Sequence, residues 1–376
     1  MINKDPETGI NVITDVFKHV YDFDELYKSY LQAAKHKRTR LDVMEFCFNL
    51  ESNLLELQNE LMWKTYKVSP YHSFYVTEPK LRLVMAQKFR DRVVNWAIYR
   101  QLYPYYDKIF IEDSYACRIN KGTLKAANRL QHWMRSVDRK PSRWYYLKFD
   151  ISKYFYRIDH AVLTNILRRR IKDRDMLWLL DVIIDSETQK FGLPAGMSPE
   201  ECTHDMWLSD VGIPIGNLTS QLFANIILNE LDQFVKHQLK ARYYVRYMDD
   251  GIILSNSKEV LKEFLKQIQS FLVENLHLDL NNKTRIAPCK NGIEFVGYRI
   301  WPTHRILKKQ ASRRMIRHAK KLRSLASANL IDRKYLNNYL VSLDGMLNHC
   351  DSMGLKTKIF NIFEDIKCDI KEVQKQ

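Results

Sequence analysis

Two adjacent carboxylates, Asp249 and Asp250, stand between two runs of strand-forming residues, Tyr243 to Tyr247 and Ile252 to Ser255. Such runs on either side of Met248-Asp249-Asp250-Gly251 predict a hairpin with acid at its tip. A further run, Trp144 to Ile151, reads as a strand that ends on Asp150. Period-2 alternation puts Tyr146, Lys148 and Asp150 on one face, and Tyr145, Leu147 and Phe149 on the other. Taken singly, Asp249-Asp250 is an ordinary turn and Asp150 an ordinary helix cap. Taken together on neighbouring strands, Asp150 and Asp249 could converge on two Mg²⁺ ions, with Mn²⁺ as a substitute. Magnesium takes one or two carboxylates plus substrate phosphates, and a pair of such ions suits in-line phosphoryl transfer.

A net charge of +16 and a pI near 9.4 favour a polyanionic partner, because neutralised phosphates release condensed counterions. The six cysteines are scattered with no C-x-x-C pair, which argues against a zinc site or a disulfide framework. Met1 to Gly9 is polar and unlike a signal peptide, and no run approaches the roughly 20 apolar residues of a membrane span. A cytoplasmic protein with no membrane partner is expected.

The organisation follows from the same patterns. Residues 21 to 65 read as helices, 68 to 83 have strand character, and 90 to 102 are helical again. Asp159 starts a helix, residues 186 to 210 form an irregular excursion, Phe223, Ile227 and Leu231 mark a helix, and Ser257 caps another. After Trp301 and Pro302 the remainder reads as wholly helical. The expected division is 1–143, 144–301 with an insertion around 160–212, and 302–376.

Tyr247-Met248-Asp249-Asp250 resembles the Tyr-x-Asp-Asp motif of reverse transcriptases. The likeness extends through Lys80 to Val94, Ser114 to Thr123, Asp150 to Phe155, Gly212 to Gln221, Leu280 to Thr284, and Phe295 to Tyr298, seven blocks in family order. It implies an α+β right-hand polymerase: fingers to about residue 143, a palm with an antiparallel sheet to about 301, and a helical thumb. It also implies site roles. Asp150 and Asp249 would hold metal with the Ile151 carbonyl, and Asp250 would complete the constellation. Lys80, Arg82 and Arg118 would face the incoming dNTP, where guanidinium suits phosphate. Phe155 would be the sugar gate, or else a core aromatic. Lys283 would protonate pyrophosphate, or else be a surface lysine. Gly297 and Tyr298 would form a turn that grips the primer together with Phe295, although Phe295 and Val296 could be plain hairpin core.

Ile215 and Gln221 depart from the common pattern, which has glutamine before Gly216 and proline at the position of Gln221. That variant resembles the reverse transcriptases of diversity-generating retroelements (a bacterial, group II intron-like lineage). Both residues would then border the nucleotide, and isoleucine cannot supply the usual amide hydrogen bonds. Looser discrimination follows from that loss, and the resemblance implies errors opposite adenine, within mutagenic retrohoming. Arg313, Arg317 and Lys320 recur at i, i+4, i+7 and could track an RNA/DNA duplex, though a solvated face is the commoner origin of such a stripe. The resemblance also implies a template RNA and a basic accessory protein, the accessory variability determinant. Little chain follows the thumb, so no nuclease, integrase or maturase domain is expected. Competing readings are an antiphage-defence or group II intron enzyme, or a catalytically dead RNA-binding polymerase fold.

Overall fold

The computed structural model describes residues 2–6, 9–77, 82–186, 190–194 and 196–364. At its centre lies a four-stranded antiparallel sheet. Its order is Tyr243–Tyr247, Asp250–Ser255, Tyr145–Asp150, Arg285–Pro288. The two acid-bearing strands are direct neighbours, in a register that sets Asp150 opposite Asp250. The alternation read from the sequence sorts the side chains between two cores. Leu147, Phe149, Tyr244 and Ile253 pack with helices Leu218–Gln233 and Lys258–Leu276. Tyr146, Val245, Ile252 and Leu254 pack with helix Thr123–Asp138. At Gly251 the sheet tolerates no side chain, because a Cβ there would lie 2.2 Å from the Phe149 ring.

Local chemistry fixes the helix starts. The Asp159 carboxylate accepts from Val162 N at 3.0 Å and Ser257 Oγ from Val260 N at 3.1 Å, each satisfying an orphan amide. The N-terminal region forms helices Phe23–Ala34, Leu41–Phe48 and Leu50–Met62, which pack on the long helix Phe89–Ile109. One apolar core runs from these helices into those beneath the sheet, so packing is continuous across residue 143. Helices His160–Arg170 and Arg174–Ile184 share that core. A hairpin of His72–Val76 and Arg82–Ala86 projects beside the acidic tip. The irregular segment after it in sequence, with Phe191, Leu193, Cys202 and Trp207, packs against Leu83 and Met85 of that hairpin.

Residues beyond Trp301 are not wholly helical. Arg305–Leu307 is a strand that pairs with Tyr298–Ile300, itself paired with Ile293–Phe295. Trp301 to His304 is therefore a turn inside a small sheet, closed by stacking of the Trp301 and His304 rings at 4.8 Å. Helices Lys309–Ser327, Arg333–Leu347 and Met353–Phe360 follow, around a separate core of Leu322, Leu336, Leu340, Leu347 and Phe363. Among the described residues no helix is long and apolar enough to cross a membrane.

Candidate active site

Asp150 ends its strand, and Asp249 occupies the hairpin turn just beyond the Asp150–Asp250 pair. Burial, reinforced by the charges of Asp150 and Asp250, pushes the Asp249 carboxyl up to about 7. Arg82 opposes the shift, so the hairpin guanidinium lies within electrostatic reach of the tip. The Asp150 carbonyl accepts from Asn281 N at 2.7 Å, and Ser152 N donates to Asp279 O at 2.8 Å. In an antiparallel ladder, successive residues address opposite neighbours. The Ile151 carbonyl thus turns away from 279–281, toward the edge that carries Asp249. Asp250 is committed differently: Lys148 Nζ lies 2.9 Å from its Oδ1 and 3.0 Å from Oδ2, and also donates to Glu294 O at 2.9 Å.

The described residues hold no group of three or more His, Cys, Asp or Glu side chains placed to bind an ion by themselves. Two mutually repelling carboxylates beside a backbone carbonyl nevertheless fit Mg²⁺, which needs few protein ligands and completes its shell with water and phosphate. A divalent cation held by Asp150 and Asp249 would offset both the burial penalty and the carboxylate repulsion that raise the Asp249 carboxyl.

Behind the turn lies a buried network absent from the sequence reading. Arg246 is fully buried and doubly paired with Asp232, Nε to Oδ1 at 2.7 Å and Nη2 to Oδ2 at 2.6 Å. Its remaining donors reach Ser114 Oγ at 3.1 Å, Asn225 Oδ1 at 3.3 Å and the Met248 carbonyl at 2.8 Å. Tyr244 Oη donates to Asp232 at 2.8 Å. Met248 adopts φ +53°, a left-handed conformation unfavourable for its side chain, and Arg246 holds the carbonyl of that residue. The available signal was an arginine inside an otherwise apolar strand, Tyr243-Tyr244-Val245-Arg246-Tyr247.

Phe155 and Ile215 both border the cluster that includes Leu83 and Met85 of the Arg82 strand. Phe155 is half-buried, its carbonyl accepting from Ile213 N at 2.8 Å. Phe155 and Ile215 therefore both pack beneath the strand that carries Arg82. Gln221 lines a 300 Å³ cleft between Val84, Met85 and Ala86 of the same strand and Lys37, Arg40 and Trp96 of the N-terminal region. Arg118 requires a correction. Its side chain is 4% exposed. It donates to Asp107 Oδ1 at 2.7 Å and to the carbonyls of Ile111, Ser114 and Asp107 at 2.6–3.1 Å. A guanidinium used in this way spends four of its five N–H donors binding the end of helix Phe89–Ile109 to the following loop, and at 4% exposure it is closed off from a triphosphate. Lys80 lies outside the described residues.

Lys283 is exposed in the turn after Asn281, the residue that binds the Asp150 carbonyl. The hairpin turn Val296-Gly297 has φ +41° and +90°, and space around Gly297 is open. Phe295, in contrast, is wholly buried and Tyr298 nearly so, with Arg305 over its ring at 5.4 Å. These aromatics support the turn from within and do not present rings to a primer, so only the Gly297 tip faces outward. Arg313, Arg317 and Lys320 are exposed on the first thumb helix, whose Ala319 and Leu322 are buried.

Comparison with known proteins agrees with this geometry. Residues 76–300, more than half of the chain, match the family model described as reverse transcriptase (RNA-dependent DNA polymerase). Protein YkfC of Escherichia coli K12 is 26% identical over 65% of this chain and 70% of its own length. The putative COX1/OXI3 intron 2 protein of Saccharomyces cerevisiae is 24% identical over 71% of this chain and 37% of its own. The group II intron-encoded protein LtrA of Lactococcus lactis is 24% identical over 80% and 59%. The chain thus spans well under two thirds of either intron protein. A structure of Candida albicans telomerase with a fragment of telomeric RNA aligns at a TM-score of 0.48 and 12% identity, over 82% of this chain and 55% of that one. With its two acid-bearing strands adjacent in an antiparallel palm and the matching segment running through both, the chain belongs to the reverse transcriptase family of RNA-directed DNA polymerases.

Proposed function

We propose that this chain copies a template RNA into cDNA, adding dNTPs to a primer by two-metal phosphoryl transfer at Asp150 and Asp249. The observation that carries this reading is the Asp249 carboxyl, buried beside Asp150 and pushed up to about 7 at the tip of a family hairpin. Asp150, Asp249 and the Ile151 carbonyl would hold Mg²⁺, which when bound supplies charge neutralisation at the attacking and leaving oxygens. Arg82 orients the triphosphate on the hairpin side. Phe155 closes the sugar side, Lys283 stands ready to give a proton to pyrophosphate, and the Gly297 tip and the Arg313–Arg317–Lys320 stripe hold the duplex. Lys148 fixes Asp250 so that it shapes the field at Asp249.

Within the family, Ile215 and Gln221 favour the diversity-generating type, with a basic accessory protein and errors opposite adenine. Ile215 sits in the same apolar flank as Phe155. An apolar contact there narrows the free-energy gap between right and wrong pairs. Primer extension on a defined RNA template with Mg²⁺ tests both levels. The expected result is metal-dependent cDNA with misincorporation concentrated opposite adenine, reduced severalfold in Ile215→Gln. Faithful cDNA would retain the polymerase and favour the second reading, a group II intron-type enzyme, which the similarity to LtrA supports. Failure with cognate RNA and accessory protein supplied would overturn synthesis itself.

The pH dependence of metal binding follows from Asp249. The ligand must be ionised to bind, so Mn²⁺ affinity should fall as pH drops below about 7. Calorimetric titration in two buffers of different ionisation enthalpy should detect about one proton released per ion at pH 6 and almost none at pH 8. Negligible release at both values would show that the Asp249 carboxyl is already ionised at pH 6.

A further inference from the structure

The run from Leu41 to Trp63 is unlike the rest of the chain. It holds Asp42, Glu45, Glu51, Glu56 and Glu60 and no lysine, arginine or histidine, in a protein of net charge +16. It is also apolar on its outer surface. Helix Leu41–Phe48 buries Val43 and Phe46, yet its opposite face exposes Leu41 at 76%, Met44 at 42% and Phe48 at 83%, spaced i, i+3, i+7. Helix Leu50–Met62 buries Leu54, Leu57 and Leu61 and exposes Leu55 and Met62, seven residues apart, ending on Trp63 at 72%. A surface helix normally turns one apolar stripe to the core and a polar face to water, and concentrated exposed apolar residues opposite that stripe mark an interaction site.

The surface has a shape as well as a composition. An open groove of about 890 Å³ is lined by Leu55 and Trp63 with Glu51, Glu56 and Glu60. Glu60 is paired with Arg90 at 2.5 Å, whereas Glu51 and Glu56 have no ion-pair partner among the described residues. Trp63 offers the large, amphipathic anchor typical of interface hot spots.

We propose that the outer face of helices Leu41–Phe48 and Leu50–Met62, with Trp63, is a docking surface for a basic amphipathic helix of a partner protein. The apolar positions recur with the period of a helix face, which suits a second helix laid along them. The acidic rim selects cationic flanks on that helix and repels nucleic acid, leaving the basic surfaces elsewhere to the polyanion. This surface is independent of the polymerase reading, since no residue assigned to the active site takes part.

The test uses the full chain and two synthetic 21-residue helices with the same leucine heptads, one flanked by lysine and one by glutamate. Binding is read by fluorescence anisotropy. The wild type should bind the lysine-flanked helix at least 10-fold more tightly, although the whole chain carries a net positive charge. Leu55→Ala/Trp63→Ala should weaken that binding at least 10-fold, and Glu51→Lys/Glu56→Lys should reverse the preference. Both pairs alter exposed side chains, and an unchanged thermal transition establishes that each variant is folded. A preference for the glutamate-flanked helix in the wild type, or affinities indifferent to these substitutions, would overturn the proposal. Self-association in sedimentation that Leu55→Ala/Trp63→Ala abolishes would overturn it in favour of a second copy of the chain. Loss of affinity for a 20-nucleotide RNA in the same variant would overturn it in favour of nucleic acid.

Discussion

Asparagine in place of Asp249 should abolish cDNA synthesis, by about 10³-fold or more, while making the metal-free protein more stable at pH 8. The first effect follows from removing an anionic ligand where two ions must be held; a 10³-fold loss corresponds to about 4 kcal/mol of transition-state stabilisation. The second follows from linkage. A carboxyl raised from 3.8 to about 7 binds its proton more tightly in the folded chain than in the unfolded one. Its favourable contribution is fully present below about pH 4 and is lost as pH rises through about 7. At pH 8 the wild type therefore retains an ionised, buried carboxylate beside Asp150 and Asp250, and the neutral amide removes it. The gain should be about 1–3 kcal/mol, discounted for residual solvent screening, or a Tm rise on the order of 1–4 °C in a chain of this length. At pH 4.5 the two proteins should melt together, and added Mg²⁺ should raise the Tm of the wild type alone. Thermal melts at the two pH values, with and without Mg²⁺, check each part. A variant less stable than wild type at pH 8 would mean that Asp249 forms favourable interactions in the metal-free site.

The acids were legible because their message is local. A strand, a turn and alternation lie within a few residues, and facing Asp150 with Asp250 needs only the two strands to be neighbours. The small sheet beyond Trp301 was not legible. Arg305–Leu307 is three residues long, and its partner Tyr298–Ile300 lies across a proline-containing turn, so the helical pattern after Lys308 dominated the window. Arg118 shows a different limit. Its place in a motif resembles that of a triphosphate ligand, but its contacts with Asp107 and three carbonyls are set by how the end of helix Phe89–Ile109 meets the next loop. The segment around Phe295 and Tyr298 reads as a turn that could grip a primer, and only packing against Ile293 and Ile300 decides that both rings face inward. Arg246 was missed because its partners come from two distant segments, Ser114 in one and Asn225 and Asp232 on helix Leu218–Gln233 in the other, and no spacing rule links either to the strand. Motif order thus reveals where the chemistry sits, while the third dimension decides which charged groups are free to act.

Arg246→Met should lower both stability and synthesis, and a compensated variant should separate the two. Removing the guanidinium strands Asp232 as an unpaired buried charge, at a cost of about 3–5 kcal/mol. Replacing the ion pair and its phenol together, as Arg246→Met/Asp232→Leu/Tyr244→Phe, leaves neither charge of the pair buried, and such exchanges are often neutral in stability. Neither variant retains the donor to the Met248 carbonyl, so the φ +53° turn that carries Asp249 loses its fixed anchor. A displacement of about 1 Å at a reacting centre costs on the order of 10²-fold. The triple variant should therefore recover most of the Tm lost by Arg246→Met, yet remain about 10- to 100-fold slower in kcat. Its Mg²⁺ half-saturation should rise and its KM for dNTP change little, because Arg82 and Phe155 are untouched. Weakened Mn²⁺ binding by the triple variant, read by electron paramagnetic resonance without any substrate, should follow the same direction. Recovery of kcat in parallel with Tm would reduce Arg246 to a packing role. Persistence of the defect in a stable protein would establish it as the residue that positions the catalytic turn.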